Sequence, residues 1–217
     1  MTNAYAELVA IPVDGVHIEG MLELPPDARG VVLFAHGSGS SRHSPRNTFV
    51  ARHLQTRRLG TLLIDLLTPA EDRHYQTRFD ISLLTHRLAT ATAWLGAHPA
   101  TRLLPLGYFG ASTGAAAALQ AAGTGARVGA VVSRGGRPDL ADPDALARVT
   151  APTLLLVGGR DDVVIELNRE ALGLLRCQKE LSIVPGATHL FEEPGTLEVV
   201  ARQAGDWFIR HLAATAS

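Results

Sequence analysis

The chain of 217 residues lacks the features that would tie it to a disulfide scaffold or a metal centre. It has a single cysteine, Cys177, which excludes an internal disulfide and any cluster of cysteine ligands. This cysteine lies within or just after a predicted helix, where we expect it to be an inert packing residue. Neither an H-E-x-x-H pattern nor a C-x-x-C pair is present, so we expect no metal and no other cofactor.

The sequence also has no long apolar run and almost no net charge. No stretch approaches the eighteen or so apolar residues that span a bilayer, and the first residues lack the pattern of a secretory signal. Lysine and arginine together number 20, aspartate and glutamate together number 21, and the pI is about 6.8. Because no net field would attract nucleic acid or an acidic membrane, we expect a cytoplasmic protein whose partner is a small molecule, with no nucleic acid and no membrane partner.

What the chain does contain is a regular alternation of two patterns. Hydrophobic residues make up 46% of it, enough for a substantial core, and the length suits one domain covering residues 1–217. Short apolar runs predict strands at 7–13, 16–24, 30–35, 61–67, 106–109, 128–132, 153–157 and 180–184. Segments of helical spacing predict helices at 46–58, 79–95, 113–122, 143–149, 166–175 and 197–212.

This alternation predicts an α/β fold with a mostly parallel central sheet and helices on both faces. The first two strands flank Asp14-Gly15, a strong hairpin signal, so we expect an antiparallel pair at the amino-terminal end of the chain. The connection from 135 to 151 has room for one short helix. An open cleft without a large lid domain is therefore expected.

The segment LGYFGASTGAAA at 106–117 leads an apolar strand into the pattern G-x-S-x-G and then into alanines. A reversal from strand to helix holds its central residue in a strained conformation that only very small neighbours allow, and Gly110 and Gly114 are such neighbours. Ser112 would expose its hydroxyl there, while the Thr113 amide at the helix start would favour negative charge. A plain Gly/Ser-rich turn is the alternative, but the flanking strand and helix favour a nucleophile.

A base and an acid for this serine follow from the rule that functional groups gather at the carboxyl ends of parallel strands. Asp161 and His189 each follow a predicted strand. The order Ser112, Asp161, His189 is that of hydrolases whose serine lies in a G-x-S-x-G turn between a strand and a helix. His189 would accept the serine proton, and Asp161 would fix the imidazole tautomer. Alone, a loop histidine is more often a surface residue and such an aspartate a helix cap. Asp162 and Asp139 remain alternatives for the acid.

Two further loops follow predicted strands. In HGSG at 36–39, the Ser38 amide is the expected second donor, with that of Thr113, to a tetrahedral oxyanion. A phosphate-cradling loop is the alternative, but neither G-x-G-x-x-G nor a G-K-[ST] ending is present. Arg134 and Arg137 follow another strand end, so we expect one of them to be a substrate-binding residue that pairs with a carboxylate on the substrate. A solvated loop or a salt bridge is the alternative for both arginines.

Four motifs make the whole chain resemble the α/β-hydrolase superfamily, and within it the dienelactone hydrolase family: HGSGS at 36–40, GASTG at 110–114, GGRDD at 158–162 and GATHLFEEPG at 186–195. The resemblance implies the α/β-hydrolase fold. It also implies a nucleophile, an acid, a base and two oxyanion-hole amides, which are Ser112, Asp161, His189, and the amides of Ser38 and Thr113. Dienelactone hydrolases proper typically carry a cysteine nucleophile, so the chain looks more like the serine-bearing relatives.

We therefore expect a serine hydrolase that cleaves small carboxylic esters or lactones through an acyl-enzyme intermediate. The same residues would serve a thioesterase or an acyltransferase that uses a different leaving group or acceptor. A third possibility is a hydrolase-fold protein that binds a ligand with little turnover. The fold alone does not separate these functions.

Overall fold

The computed structural model describes residues 4–212, and eight strands of that segment form one sheet. The strands are β1 (Tyr5–Val13), β2 (Val16–Leu24), β3 (Val31–Ala35), β4 (Gly60–Ile64), β5 (Leu106–Ala111), β6 (Ala130–Arg134), β7 (Thr153–Gly158) and β8 (Lys179–Val184). Their order across the sheet is β1-β2-β4-β3-β5-β6-β7-β8. The ladder is antiparallel between β1 and β2 and between β2 and β4, and parallel from β4 to β8.

The sequence predicted both the amino-terminal hairpin and the parallel core of this sheet. Val13 pairs with Val16, and the two turn residues between them, Asp14 and Gly15, have φ values of 50° and 77°. Positive φ at both central positions is what a tight hairpin turn of this twist requires, and this explains the Asp-Gly pair. The predicted α/β-hydrolase fold is confirmed.

Six helices cover the sheet: α1 (Pro45–Thr56), α2 (Ile81–Ala97), α3 (Thr113–Gly123), α4 (Pro143–Arg148), α5 (Asp162–Leu174) and α6 (Thr196–His211). Alternate residues of β3 belong to different buried clusters, since Leu33 packs with α2 and α3 whereas Phe34 packs with α1 and α6. The helices therefore lie on both faces, as a continuous apolar strand requires. None of the helices within residues 4–212 combines the length and the hydropathy needed to cross a bilayer.

The segment after β4 differs from the prediction. The apolar run at 61–67 predicts a strand over its whole length, but β4 ends at Ile64. Just past this end, the Asp65 amide still donates to the Glu19 carbonyl of β2 at 2.9 Å, and the Asp65 carboxylate binds the Arg42 backbone amide at 2.7 Å and pairs with the Arg42 guanidinium. Two short 3-10 turns, Glu71–Arg73 and Tyr75–Phe79, follow, and no pattern in the sequence had predicted them. Leu66 is buried without being in a strand.

The connection between β6 and β7 is short, as predicted. It holds a 3-10 turn, Pro138–Leu140, and the six-residue α4. No multi-helix lid covers this edge in the part of the chain that the structure describes.

Helix α3 is buried along almost its whole length. Every one of its residues except Gln120 is buried, which small side chains make feasible. At its end, a Cβ built on Gly123 would lie 2.0 Å from the Ala145 carbonyl oxygen of α4. Glycine at this position therefore sets how closely α3 and α4 approach each other.

We predict that Gly123→Ala lowers the free energy of unfolding by about 1–3 kcal/mol, because backbone has to move to admit the methyl group. Gly173→Ala is the matched control. Gly173 also lies near the end of a helix, but a Cβ there would meet no atom within 4 Å. That substitution should stabilise by roughly 0.5–1 kcal/mol, since alanine is the better helix former. Urea denaturation measures both changes, and equal effects would contradict the packing argument.

Candidate active site

Ser112 lies in a strained turn at the carboxyl end of β5. Its φ of 51° and ψ of −120° are unusual for a residue with a side chain, and α3 begins at the next residue. Backbone hydrogen bonds hold the turn on both sides. Its amide donates to the Arg134 carbonyl at 3.2 Å, and its own carbonyl accepts from the Arg137 amide at 3.2 Å.

The glycines around Ser112 are required by close packing. A Cβ on Gly110 would lie 2.4 Å from Cα of Ala115, and a Cβ on Gly114 would lie 2.3 Å from the Ala35 carbonyl oxygen. Both distances are far inside van der Waals contact with backbone atoms. The first turn of α3 therefore rests directly on the end of β3, as the strand-turn-helix pattern had suggested.

His189 and Asp161 lie in contact. The imidazole Nδ1 is 2.7 Å from Oδ2 of Asp161, and the Asp161 side chain is only 16% exposed. Nδ1–H donating to the carboxylate leaves Nε2 unprotonated and able to accept a proton. The two other aspartates considered from the sequence lie elsewhere, since Asp139 accepts two hydrogen bonds from Arg137 and Asp162 is an exposed residue of α5.

Two glycines bring the His189 loop to the same edge of the sheet as Ser112. A Cβ on Gly158, at the end of β7, would lie 2.5 Å from the Thr188 carbonyl oxygen. A Cβ on Gly135 would lie 3.5 Å from Cε1 of His189, and Gly135 follows the residue whose carbonyl holds the Ser112 amide. Within residues 4–212, however, no hydrogen bond joins the Ser112 hydroxyl to His189.

The loop after β3 packs against the nucleophile. A Cβ on Gly37 would lie 3.1 Å from Cβ of Ser112, so the Ser38 amide follows a backbone segment in contact with the serine. The cleft beside this contact is narrow, with a volume of about 10 Å³. Its lining includes the 36–39 loop, Leu66, Leu67, Arg78, Leu84 and Thr113.

His36 fixes the conformation of this loop, a role that the sequence had not suggested. Its Nδ1 donates to the Gly37 carbonyl at 2.9 Å, and its Nε2 accepts from the Leu66 amide at 3.0 Å. The two contacts together need the neutral imidazole, because Nε2 can accept a hydrogen bond only when it carries no proton. Burial lowers the pKa of His36, against opposing effects of the Gly37 carbonyl and of the Asp65 and Asp72 carboxylates.

The two arginines proposed as substrate ligands have different environments. Arg137 is engaged, because its guanidinium donates to both Asp139 oxygens, at 2.8 and 2.7 Å. Arg134 is 8% exposed, and its Nε and Nη1 groups have no hydrogen-bond partner. Burial, together with the positive charge of Arg46, lowers the pKa of Arg134 to about 10. Of the predicted pair, Arg134 is thus the one without a counter-ion.

Asn168 holds the loop after β6 in place, a role that was not predicted from the sequence. It is fully buried in α5, and its amide nitrogen donates to the Gly136 carbonyl at 3.0 Å. Gly136 belongs to the segment whose amides and carbonyls hold Ser112. A signal was present in the sequence, since Asn168 lies at helical spacing from Val164 and Ala171 on an otherwise apolar face.

A larger groove, of about 780 Å³, lies elsewhere. Its lining comes from the end of α3, the approach to β6 and the end of α4, and it includes Arg127, Arg148 and Arg176. These segments form the opposite edge of the sheet from Ser112 and His189. This groove is therefore separate from the site around Ser112.

Comparisons with known proteins support the α/β-hydrolase fold. No family model matches the sequence. A solved dienelactone hydrolase from Anabaena variabilis ATCC 29413 is 54% identical, with a TM-score of 0.92 over 97% of this chain and 100% of that one. Est1E from Butyrivibrio proteoclasticus has a TM-score of 0.80 at 16% identity over 95% of this chain and 99% of its own, which shows the fold alone.

Two curated Mycobacterium tuberculosis proteins, from strains CDC 1551 / Oshkosh and H37Rv, are 58% identical over 207 residues. Both are provisionally named phosphoribosyl transferases. The match covers 95% of this chain but only 46% of theirs, so the chain spans about half the length of these relatives. The identity to the Anabaena enzyme extends over essentially both chains, and this chain therefore belongs to the dienelactone hydrolase family.

Proposed function

We propose that this chain is a serine hydrolase that cleaves small carboxylic esters or lactones through an acyl-enzyme. The observation that carries the proposal is the 2.7 Å contact between His189 and Asp161 at the sheet edge where Ser112 forms the strained turn. An imidazole oriented by a carboxylate near a serine is the arrangement that activates a hydroxyl. The dienelactone hydrolase and esterase names of the structural relatives support the same reaction class.

In the first half of the reaction, the Ser112 hydroxyl oxygen bonds to the carbonyl carbon while its proton passes to Nε2 of His189. The carbonyl π electrons move onto oxygen, and the backbone amides of Ser38 and Thr113 donate to that oxyanion. Asp161 stabilises the imidazolium. When the tetrahedral species collapses, the bond to the leaving alkoxide breaks, and the alkoxide takes the proton from His189.

In the second half, a water molecule repeats these steps against the acyl-enzyme and releases the acid. With a lactone, the alcohol and the acid remain parts of one molecule. The Ser112 to His189 hydrogen bond belongs to the substrate-bound state in this scheme. Such catalytic hydrogen bonds are often long or poorly aligned in unliganded enzymes and tighten when substrate binds.

The proposal concerns acyl transfer only. The phosphoribosyl transferase name belongs to relatives of about twice this length. Ser112, His189 and Asp161 are residues for acyl transfer, and the proposal does not use phosphoribosyl transfer. The small cleft and the absence of a multi-helix lid within residues 4–212 favour small acyl groups.

Arg134 extends the proposal to substrates that carry a carboxylate. A buried guanidinium without a counter-ion costs free energy that an anionic ligand would recover. The side chain lies on the same face of β6 as Val132, toward α1, where Arg46 in the first turn adds positive charge. Arg134 also contributes the backbone carbonyl that accepts from the Ser112 amide, so the two residues are neighbours at the carboxyl ends of β6 and β5.

We predict that Ser112→Ala abolishes labelling by a fluorophosphonate and lowers ester hydrolysis by about 10⁴-fold or more, because the nucleophile is lost. His189→Ala should lower the rate similarly. The measurement is a panel of p-nitrophenyl esters and lactones, with gel detection of the labelled serine. A native protein that neither labels nor turns over any of these substrates would favour a binding protein.

The neighbouring aspartates supply the matched control for this test. Asp161→Asn should lower kcat by about 10³–10⁴-fold, because the amide stabilises the wrong imidazole tautomer. Asp162→Asn makes the same chemical change at an exposed position and should leave kcat within about twofold. Equal losses in the two variants would sink the assignment of Asp161 as the acid.

For the anionic substrate, we predict that Arg134→Gln raises KM for a carboxylate-bearing ester by about 10–100-fold relative to a neutral ester of the same length. A charge-assisted hydrogen-bonded pair is worth about 1.5–3 kcal/mol, which corresponds to that range. Arg137→Gln is the control, since that guanidinium already binds Asp139. The anionic-to-neutral ratio is compared within each variant, so any loss of folded protein cancels. An unchanged ratio in Arg134→Gln argues against the anion site.

The 36–39 loop should also make the free energy of unfolding depend on pH, through His36. Its pKa is lowered in the folded protein, so between that value and 6.5 the unfolded chain binds more protons. The free energy of unfolding should therefore fall as pH falls below 6.5, by at most about 1.4 kcal/mol per pH unit. Denaturant titrations from pH 7.5 to 5 should show a smaller slope in His36→Gln, and parallel curves for the two proteins would contradict this.

A further inference from the structure

The hydroxyl of Thr113 is buried and has no hydrogen-bond partner within residues 4–212. The residue is 2% exposed, and it lines the small cleft next to the nucleophile. It follows Ser112 directly as the first residue of α3. The proposed function uses only its backbone amide and gives this side chain no role.

The position of Thr113 explains why the hydroxyl has no partner. A threonine inside a helix commonly donates to the carbonyl four residues earlier, as Thr90 does to His86 at 3.0 Å and Thr92 to Leu88 at 3.0 Å. Four residues before Thr113 lies Phe109, which belongs to β5 rather than to a preceding helical turn. The helix therefore offers this hydroxyl none of its own carbonyls.

A buried hydroxyl left unpaired is costly, and such groups in native structures call for an explanation. Valine would fill the same volume without the unpaired polar group. The residue also lines the cleft beside Ser112. Covalent geometry keeps a threonine hydroxyl within about 3–4 Å of the amide nitrogen of its own residue, and in the proposed reaction that amide donates to the oxyanion.

We propose that the Thr113 hydroxyl is a third donor to the oxyanion, in addition to the amides of Ser38 and Thr113. The proposal rests on the serine hydrolase function put forward above. In the free protein the hydroxyl is unpaired; in the tetrahedral intermediate, Oγ1–H donates to the oxygen that carries the new negative charge. The contact strengthens as that charge develops, so it lowers the barrier more than it tightens substrate binding.

The test compares Thr113→Val with Thr113→Ser. The valine variant keeps the shape and removes the donor, so kcat should fall by about 10–100-fold while KM stays within about twofold. The serine variant keeps the donor and should retain kcat within about threefold. Thr85→Val is the matched control: Thr85 has the other unpartnered buried threonine hydroxyl in residues 4–212, lies on α2 and does not line the cleft.

Stability distinguishes this role from a structural one. Removing an unpaired buried hydroxyl should leave the melting temperature of Thr113→Val equal to or above that of the native protein, although the variant is the slower enzyme. A tetrahedral-adduct inhibitor such as a trifluoromethyl ketone should lose affinity by about the same factor as kcat/KM.

Two results would overturn the inference while leaving the hydrolase function intact. One is an unchanged kcat in Thr113→Val, and the other is a serine variant as slow as the valine variant. Native protein that lacks Ser112-dependent labelling and ester turnover would instead remove the proposed function itself, and the Thr113 proposal with it. The native measurement therefore separates the two failures.

Discussion

The contact between the first turn of α3 and the carboxyl end of β3 is the constraint on which the rest of the site depends. Gly114 lies so close to the Ala35 carbonyl that no other residue fits without movement of backbone. This contact places the amide at the start of α3 beside the loop that begins at His36, and Gly37 then meets the side chain of Ser112. One close approach of two backbone segments thus brings the nucleophile and both proposed oxyanion donors to the same place.

Buried polar atoms without partners occur at several places in residues 4–212, and some of them lie beside this contact. Arg134 and Thr113 each keep unpaired hydrogen-bonding atoms within a shell that is otherwise well packed, and Ser133 next to Arg134 does the same. Elsewhere, buried polar side chains are often paired, as with the Thr101 hydroxyl and the Leu95 carbonyl. Unpaired groups cost stability, so a fold retains them most readily where a ligand supplies the missing partner.

The fold could be predicted because its signals are local. Asp14-Gly15 specifies the hairpin, and the alternation of apolar runs with helical spacing specifies a parallel sheet covered on both faces. The end of β4 could not be predicted in this way. Leu66 and Leu67 continue the apolar run of the strand, and the long-range partners of this segment, Arg42 for the Asp65 carboxylate and His36 for the Leu66 amide, are not visible in the local pattern. The same limit applies to Arg137, whose pairing with Asp139 depends on the conformation of a loop.

The candidate site shows the same division between local and long-range information. The order of Ser112, Asp161 and His189 after three strands was readable, because strand ends in a parallel sheet share an edge. His36 and Asn168 were not assigned roles, since their partners are backbone groups of distant segments, Leu66 and Gly136. A polar residue on the apolar face of a helix, or between a buried strand and a glycine loop, usually has a specific buried partner. Such positions in the sequence are therefore where the supporting residues of a site should be sought, even before the backbone groups that they bind can be named.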